Sequence, residues 1–140
     1  MKSIGLIDTN ILLRSVVGDV PQQAKAAGLL LDQIAQGDVA GFVPITVVQE
    51  FVFVLERTYL VPRADVAGAI RDMIAITNLE VEHADVVLDC LDDYVARGGI
   101  SFPDAFHCAL ARARYGGAIV SFDSKISIVP GVNRIEPGSA

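Results

Sequence analysis

Short apolar runs alternate with helical segments along the whole chain, and this alternation limits the possible folds more than any other feature. Residues 3–7 read as a buried strand ending at Asp8. Residues 9–17 read as a helix stopped by Gly18, and 21–36 as a longer helix with Pro21 at its start and Gly37 just past its end. A strand follows over 39–43, then helices over 45–59 and 62–76, then a short strand over 79–82. Two further helices, 85–97 and 103–115, are each stopped by a glycine pair, Gly98-Gly99 and Gly116-Gly117. A strand over 118–122 ends at Asp123, and a last one covers 133–135. Alternation of this kind predicts an α/β fold with a mainly parallel sheet. Ligands of such sheets sit beyond the carboxyl ends of the strands.

Composition narrows the class. With 140 residues, 52% hydrophobic and 20% charged, the chain is too apolar for disorder and has enough material for one core, so a single domain over 1–140 is expected. The mean hydropathy of +0.48 is high. It calls for either a membrane span or apolar surface covered by a partner. A span needs roughly 20 consecutive apolar residues, and the densest stretch, 51–55, is bounded by Gln49, Glu50 and Glu56. The apolar run at 4–7 is too short for a signal-peptide core. A cytoplasmic protein is expected, free of the membrane, with apolar surface hidden in an oligomer or complex.

The net charge of −6, from 11 basic and 17 acidic residues, argues against direct DNA binding, which needs basic patches. It leaves open an enzyme that handles phosphates through metal ions held by carboxylates. Cys90 and Cys108 have no metal-ligand spacing and suggest no disulfide framework, and His83 and His107 are too few for a zinc site.

Four acids stand out. Asp8 and Asp123 each follow an apolar strand, although Asp8 also suits a helix N-cap and Asp123 a turn. Glu50 lies in an apolar helix, with Thr46, Val47, Phe53 and Val54 as its helical neighbours. A lone buried carboxylate is costly or takes up a proton. Glu50 therefore either faces a charged ligand or marks a narrow wet stripe with Gln49. Asp104 opens a helix in a capping-box pattern with Ser101, and His107 follows one turn later on the same face, where a partly buried structural histidine is expected. Asp85, Asp89, Asp92 and Asp93 recur at helical spacing opposite Val87, Leu91 and Tyr94 and read as a solvated face. If Asp8, Glu50, Asp104 and Asp123 gather, they repel one another unless a hard cation sits among them. Mg²⁺ and Mn²⁺ take oxygen ligands and share their sites with substrate phosphate. Such a site activates water and stabilises both oxygens of a phosphodiester displacement without histidine or cysteine.

Four motifs occur in order: Ile7-Asp8-Thr9-Asn10-Ile11-Leu12-Leu13-Arg14, the stretch from Ile45-Thr46-Val47-Val48-Gln49-Glu50-Phe51 to Val54-Leu55-Glu56-Arg57, Phe102-Pro103-Asp104-Ala105-Phe106-His107-Cys108-Ala109-Leu110-Ala111, and Val120-Ser121-Phe122-Asp123. Together they resemble the PIN-domain nucleases, and among them the VapC-type toxins of toxin–antitoxin pairs, over nearly the whole chain. The resemblance implies a PIN-like three-layer sandwich in which helices flank a short, mainly parallel sheet. It implies a Mg²⁺- or Mn²⁺-dependent endoribonuclease, usually a homodimer, held inactive by a cognate antitoxin. Carried onto these positions, Asp8, Asp104 and Asp123 ligate metal and act in catalysis, and Glu50 ligates metal or orients its water. Thr9, Asn10 and Ser121 support the carboxylates or water by hydrogen bonds. Many relatives carry another acid just beyond the fourth, where this chain has Ser124 and Lys125. Arg14 and Lys125 either contact RNA phosphate or play an ordinary surface role. Two alternatives stay open. One is a non-catalytic PIN-like scaffold that only binds a partner. The other is a receiver-like Mg²⁺-binding phosphorylation domain, although that would want paired acids after the first strand, where this chain has Asp8-Thr9-Asn10.

Overall fold

The structure is a computed structural model and describes residues 1–138; positions 139–140 of the expected domain lie outside the described residues. The chain folds as two compact units, Met1–Ala84 and a second from Asp85 onward. The α/β class and the parallel strand pairing expected from the sequence are both present. Among the described residues no helix is long and apolar enough to cross a membrane.

The first unit is built on β1 (Lys2–Leu6), β2 (Val39–Val43) and β3 (Leu79–Val81), parallel and in that order. Helices α1 (Thr9–Val16) and α2 (Pro21–Ala35) connect β1 to β2, and α3 (Ile45–Arg57) and α4 (Arg63–Ile74) connect β2 to β3. Register pairs Leu6 with Phe42 and Val43 with Val81. Gly41 is required here: a Cβ would stand 2.9 Å from Ile7 Cγ1, so the glycine lets Ile7 pack on the strand. Ile7, Leu12, Leu13, Ile34, Val48, Phe51, Leu55 and Ile70 are all buried. The start of α3 is closed by Glu82, whose Oε1 accepts from the Ile45 N–H at 2.9 Å, giving one orphan amide of the first turn an anionic partner.

Two expectations for this unit are corrected. The strand at 3–7 was expected to be buried, but all five residues of β1 are exposed, Leu6 to 61%, and burial begins only at Ile7. β1 pairs with β2 alone in its sheet, and a short apolar run has no alternation to reveal which face is covered. The helix carrying Glu50 was expected to be apolar on nearly every side. Instead α3 is amphipathic: Val47, Val48, Phe51, Val52 and Leu55 are buried, while Thr46, Gln49, Glu50, Phe53 and Arg57 are exposed. Phe53 is 59% exposed, and its ring is covered by the Arg57 guanidinium at 5.7 Å.

Arg14, left open as an RNA contact, is engaged within this unit. It donates to Asp19 Oδ1 at 2.8 Å, Gln23 Oε1 at 3.0 Å and the Tyr59 hydroxyl at 3.3 Å, and Tyr59 in turn donates to Asp19 Oδ2 at 2.9 Å. The network ties the loop after α1 to the residues that follow α3.

The second unit contains α5 (Ala84–Ala96), α6 (Phe102–Arg114), β4 (Ala118–Val120), a short 3₁₀ helix (Ser124–Ile128) and β5 (Asn133–Ile135). β4 is two residues shorter than expected, and the 3₁₀ turn was not expected at all. β4 and β5 are parallel, pairing Ala118 with Asn133 and Val120 with Ile135. Tyr94 and Phe102 are buried and meet edge to face with centroids 5.6 Å apart. The acidic stripe of α5 is not wholly solvated. Asp89 and Asp93 both pair with Arg112 Nη2 at 3.0 Å, and Asp93 also pairs with Arg97 at 3.4 Å. The sequence offered no sign of the Arg112 pairing, because that cation comes from α6.

Two expected outcomes follow from these networks. The Tyr59 hydroxyl, followed by the Arg14 charge, holds the Asp19 carboxylate below its usual range. A carboxylate depressed by folding stabilises above its unfolded pKa, about 3.9, and loses that contribution as pH falls through the folded value. Asp19→Asn should therefore melt modestly below wild type at pH 7, with the gap closing below about pH 4. A gap unchanged down to pH 2 would refute the network.

Burial, followed by the neighbouring Asp89 and Asp93 charges, pushes the Cys90 thiol up to about 12. The raised value means that stability is complete below the unfolded thiol pKa, about 8.5, and declines as pH rises toward the folded one. Native protein should resist iodoacetamide at Cys90 near pH 8.5 and react once unfolded in urea. Labelling of the folded chain at the rate of a free thiol would contradict this packing.

Candidate active site

In the first unit, Asp8 occupies the N-cap position of α1 with extended backbone at φ −78° and ψ 161°. Its side chain makes no cap hydrogen bond, so the exposed carboxylate is not consumed by the helix. Thr9 is buried at 3% exposure, and Asn10 is exposed. Glu50 is exposed on α3 beside Gln49. The desolvation argument for Glu50 therefore falls, and the wet-stripe alternative describes its surroundings. Its candidacy rests on its motif.

In the second unit, the folded chain brings sequence-distant polar groups into one cavity of about 190 Å³. Asp104 and His107 reach it from α6, and Ser121 and Asp123 from the segment after β4, with Ile119 and Ile126 as apolar walls. Asp104 also closes the capping box: Ser101 Oγ accepts from the Asp104 N–H at 3.2 Å, and Asp104 Oδ2 accepts from the Ser101 N–H at 3.3 Å. Two orphan donors are thereby satisfied reciprocally. The cap reading of Asp104 is thus correct as geometry, and the same carboxylate still lines the cavity. Asp123 likewise has a turn role, its Oδ1 accepting from the Lys125 N–H at 3.0 Å.

Ser121 supports the cavity through the backbone rather than through a carboxylate. Its Oγ accepts from the Asp123 N–H at 2.9 Å. His107, expected to be partly buried, is exposed, with its ring 6.2 Å from that of Phe106. Lys125 is exposed, and its backbone N–H is what serves Asp123. Arg134 was missed in the sequence. It donates from Nη1 to the Ser121 carbonyl at 3.1 Å and from Nε to Ser127 Oγ at 3.0 Å. An arginine in a three-residue strand carries no sequence signal of such a contact.

Among the described residues, no three His, Cys, Asp or Glu side chains are grouped closely enough to hold a metal ion. The cavity of the second unit supplies two carboxylates, a hydroxyl and an imidazole. Oxygen donors of this kind suit a hard cation. Mg²⁺ characteristically uses one or two carboxylates, keeps several waters and shares its site with substrate phosphate. Asp104 and Asp123 fit that donor chemistry, and nothing in the cavity resembles the thiolate or multi-histidine sets of softer metals.

Comparison with curated proteins finds no match. The family model for the PIN domain matches residues 5–132, a stretch that includes Asp8, Glu50, Asp104 and Asp123. With the parallel α/β architecture and nearly the whole sequence matched, this chain belongs to the PIN domain family.

Proposed function

We propose that the chain is a Mg²⁺- or Mn²⁺-dependent endoribonuclease and the toxin of a VapBC-type toxin–antitoxin pair, acting in the cytoplasm. PIN domains are typically nucleases and commonly bind divalent metals. The observation that carries the reading is the cavity in which Asp104 and Asp123 stand with His107 and Ser121 beyond the end of β4. A bound divalent ion would activate water and stabilise the departing oxygen of a phosphodiester. The residues assigned to metal binding and catalysis are Asp104 and Asp123, which line that cavity, and, from their motifs alone, Asp8 and Glu50 of the first unit. Ser121 keeps the Asp123 backbone in place, and Thr9 and Asn10 are assigned to support Asp8.

The proposed partners are an RNA substrate, a second copy of the chain and a cognate antitoxin. A groove of about 620 Å³ in the first unit suits a segment of the antitoxin. Val16 supplies an exposed apolar wall backed by the buried Leu12, Phe51 and Met73, and Asp32, Asp65 and Asp72 add negative charge, which favours an apolar segment carrying Arg or Lys.

A non-catalytic scaffold is the second reading, favoured by one observation: capping and turn bonds give Asp104 and Asp123 structural reasons to be acidic. The two readings separate in one experiment. As a nuclease, the purified chain cleaves RNA with Mn²⁺ and not with EDTA. Asp8→Asn, Glu50→Gln, Asp104→Asn and Asp123→Asn should each lose roughly 100-fold or more in rate while remaining folded. As a scaffold, no divalent-dependent cleavage is seen, and Asp104→Asn lowers only the melting temperature, by the worth of a cap, about 1 kcal/mol or less. Growth arrest on induction of wild type, but not of Asp123→Asn, would support the toxin assignment. A short neighbouring reading frame for a DNA-binding protein would support the antitoxin.

A further inference from the structure

We infer that Arg134 is a positioning residue for Asp123, holding the segment after β4 so that the Asp123 carboxylate stays on the cavity; this rests on the metal-binding reading of that cavity. The strand pairing ends early. β4 stops at Val120, opposite Ile135, and one further ladder bond follows, from the Ser121 N–H to the Ile135 carbonyl at 3.0 Å. Beyond it, the bonds from Asp123 N–H to Ser121 Oγ and from Lys125 N–H to Asp123 Oδ1 lie within the turn. They set the shape of the turn but do not attach it to its surroundings. Phe122 adds no packing, being 74% exposed.

Ile126, 5% exposed, gives the segment one apolar anchor, and Arg134 supplies the polar attachment. One planar guanidinium grips the segment at both ends, the Ser121 carbonyl by Nη1 and Ser127 Oγ by Nε, so residues 121–127 are bracketed around Asp123. The group is itself fixed. Its strand is paired with β4 at Ile119, its side chain is 21% exposed, and Glu136 Oε1 accepts from Nη1 at 3.3 Å. A rigid fork of this kind serves two acceptors in a defined geometry, which a lysine ammonium on a flexible stem cannot reproduce. Arg134 is not among the residues lining the cavity. Its influence on the metal must therefore pass through the position of Asp123, as with outer groups that orient metal ligands.

The test is Mn²⁺ binding to the full chain, followed by electron paramagnetic resonance without RNA, with RNA cleavage measured in parallel. Arg134→Ala should weaken Mn²⁺ binding about 10- to 100-fold, and Arg134→Lys should recover part of the loss. Cleavage by Arg134→Ala should return at high Mn²⁺ with KM for RNA unchanged, whereas Asp123→Asn should stay inactive. Ser127→Ala removes one anchor and keeps the charge. It should shift Mn²⁺ binding the same way by less, and it carries the test if Arg134→Ala fails to fold. Wild-type Mn²⁺ affinity in Arg134→Ala and Ser127→Ala, with only a lower melting temperature, would overturn the inference. So would a raised KM for RNA at unchanged Mn²⁺ affinity, which would make Arg134 an RNA contact. If Asp123→Asn binds Mn²⁺ as wild type does, the metal reading of the cavity fails and the inference falls with it. Weakened binding in Asp123→Asn alone overturns only the role of Arg134.

Discussion

At Gly117 the backbone passes so close to the Gly131 carbonyl that no side chain fits, and the second unit depends on that approach. Gly117 has φ +87°, and a Cβ there would collide with the Gly131 oxygen. The contact lets the Asn133 N–H reach the Gly117 carbonyl at 2.8 Å, and the parallel register of β4 with β5 starts from this bond. Gly131 is equally constrained: its φ is +77°, and a Cβ would stand 2.8 Å from Arg112 Cδ. Arg112 in turn donates to the Pro130 carbonyl at 3.1 Å and pairs with Asp89 and Asp93. Thus α5, α6 and the link into β5 are fixed together. With β5 in register, Arg134 lies opposite Ile119, within reach of Ser121. A side chain at residue 117 would displace the strand that holds the segment bearing Asp123.

The acids of the cavity show how a fold can keep carboxylates near one another without paired cations. Asp104 sits in the first turn of α6, where backbone amides and the helix dipole favour a negative charge by about 0.3–1 kcal/mol. Asp123 accepts from the Lys125 amide in its own turn. Each charge has a local backbone partner before any ligand arrives. The structural and chemical readings of these residues therefore do not compete: the cap and the turn fix the backbone, and the carboxylates still line the cavity. Asp8 is the contrast. It stands at an N-cap position without a side-chain cap bond, so α1 gives no structural reason for an acid there.

Most of the fold was legible because punctuation is local. The starts of α1, α2 and α3, and both ends of β2 and β5, fall where the apolar runs, prolines and glycines placed them. What failed was burial. Residues 46, 49, 50, 53 and 57 form one face of α3, but Phe53 made that face read as apolar, and only the folded chain shows Arg57 covering its ring. Pairing between elements was equally hidden. The α5 acids look solvated until α6 brings Arg112 to them, and nothing in the short run 133–135 reveals that Arg134 holds the Ser121 carbonyl. The candidate acids were visible individually as strand ends and a helix start. That Asp104 and Asp123 share a cavity depends on the turn and 3₁₀ helix after β4, which the residue types did not reveal.

Charge sets the remaining constraint on the proposed chemistry. A chain of net charge −6 repels polyphosphate at long range. Several of its arginines are already committed: Arg14 to Asp19, Arg97 to Asp93, Arg112 to Asp89 and Asp93, and Arg134 to Glu136. These pairs reduce the positive charge available to RNA phosphates, so counterion release contributes less to affinity, and the salt dependence of binding should be correspondingly shallower. His107 lines the cavity with the carboxylates, and Lys125 follows Asp123 by two residues in the chain. Under the nuclease reading, a divalent ion has two jobs at once: it neutralises Asp104 and Asp123, and it provides the positive charge that draws a phosphodiester to them. Substrate binding and catalysis then depend on the same ion. An acidic surface becomes an advantage in that case, because it keeps nucleic acid away from every part of the chain except the site where metal has reversed the charge.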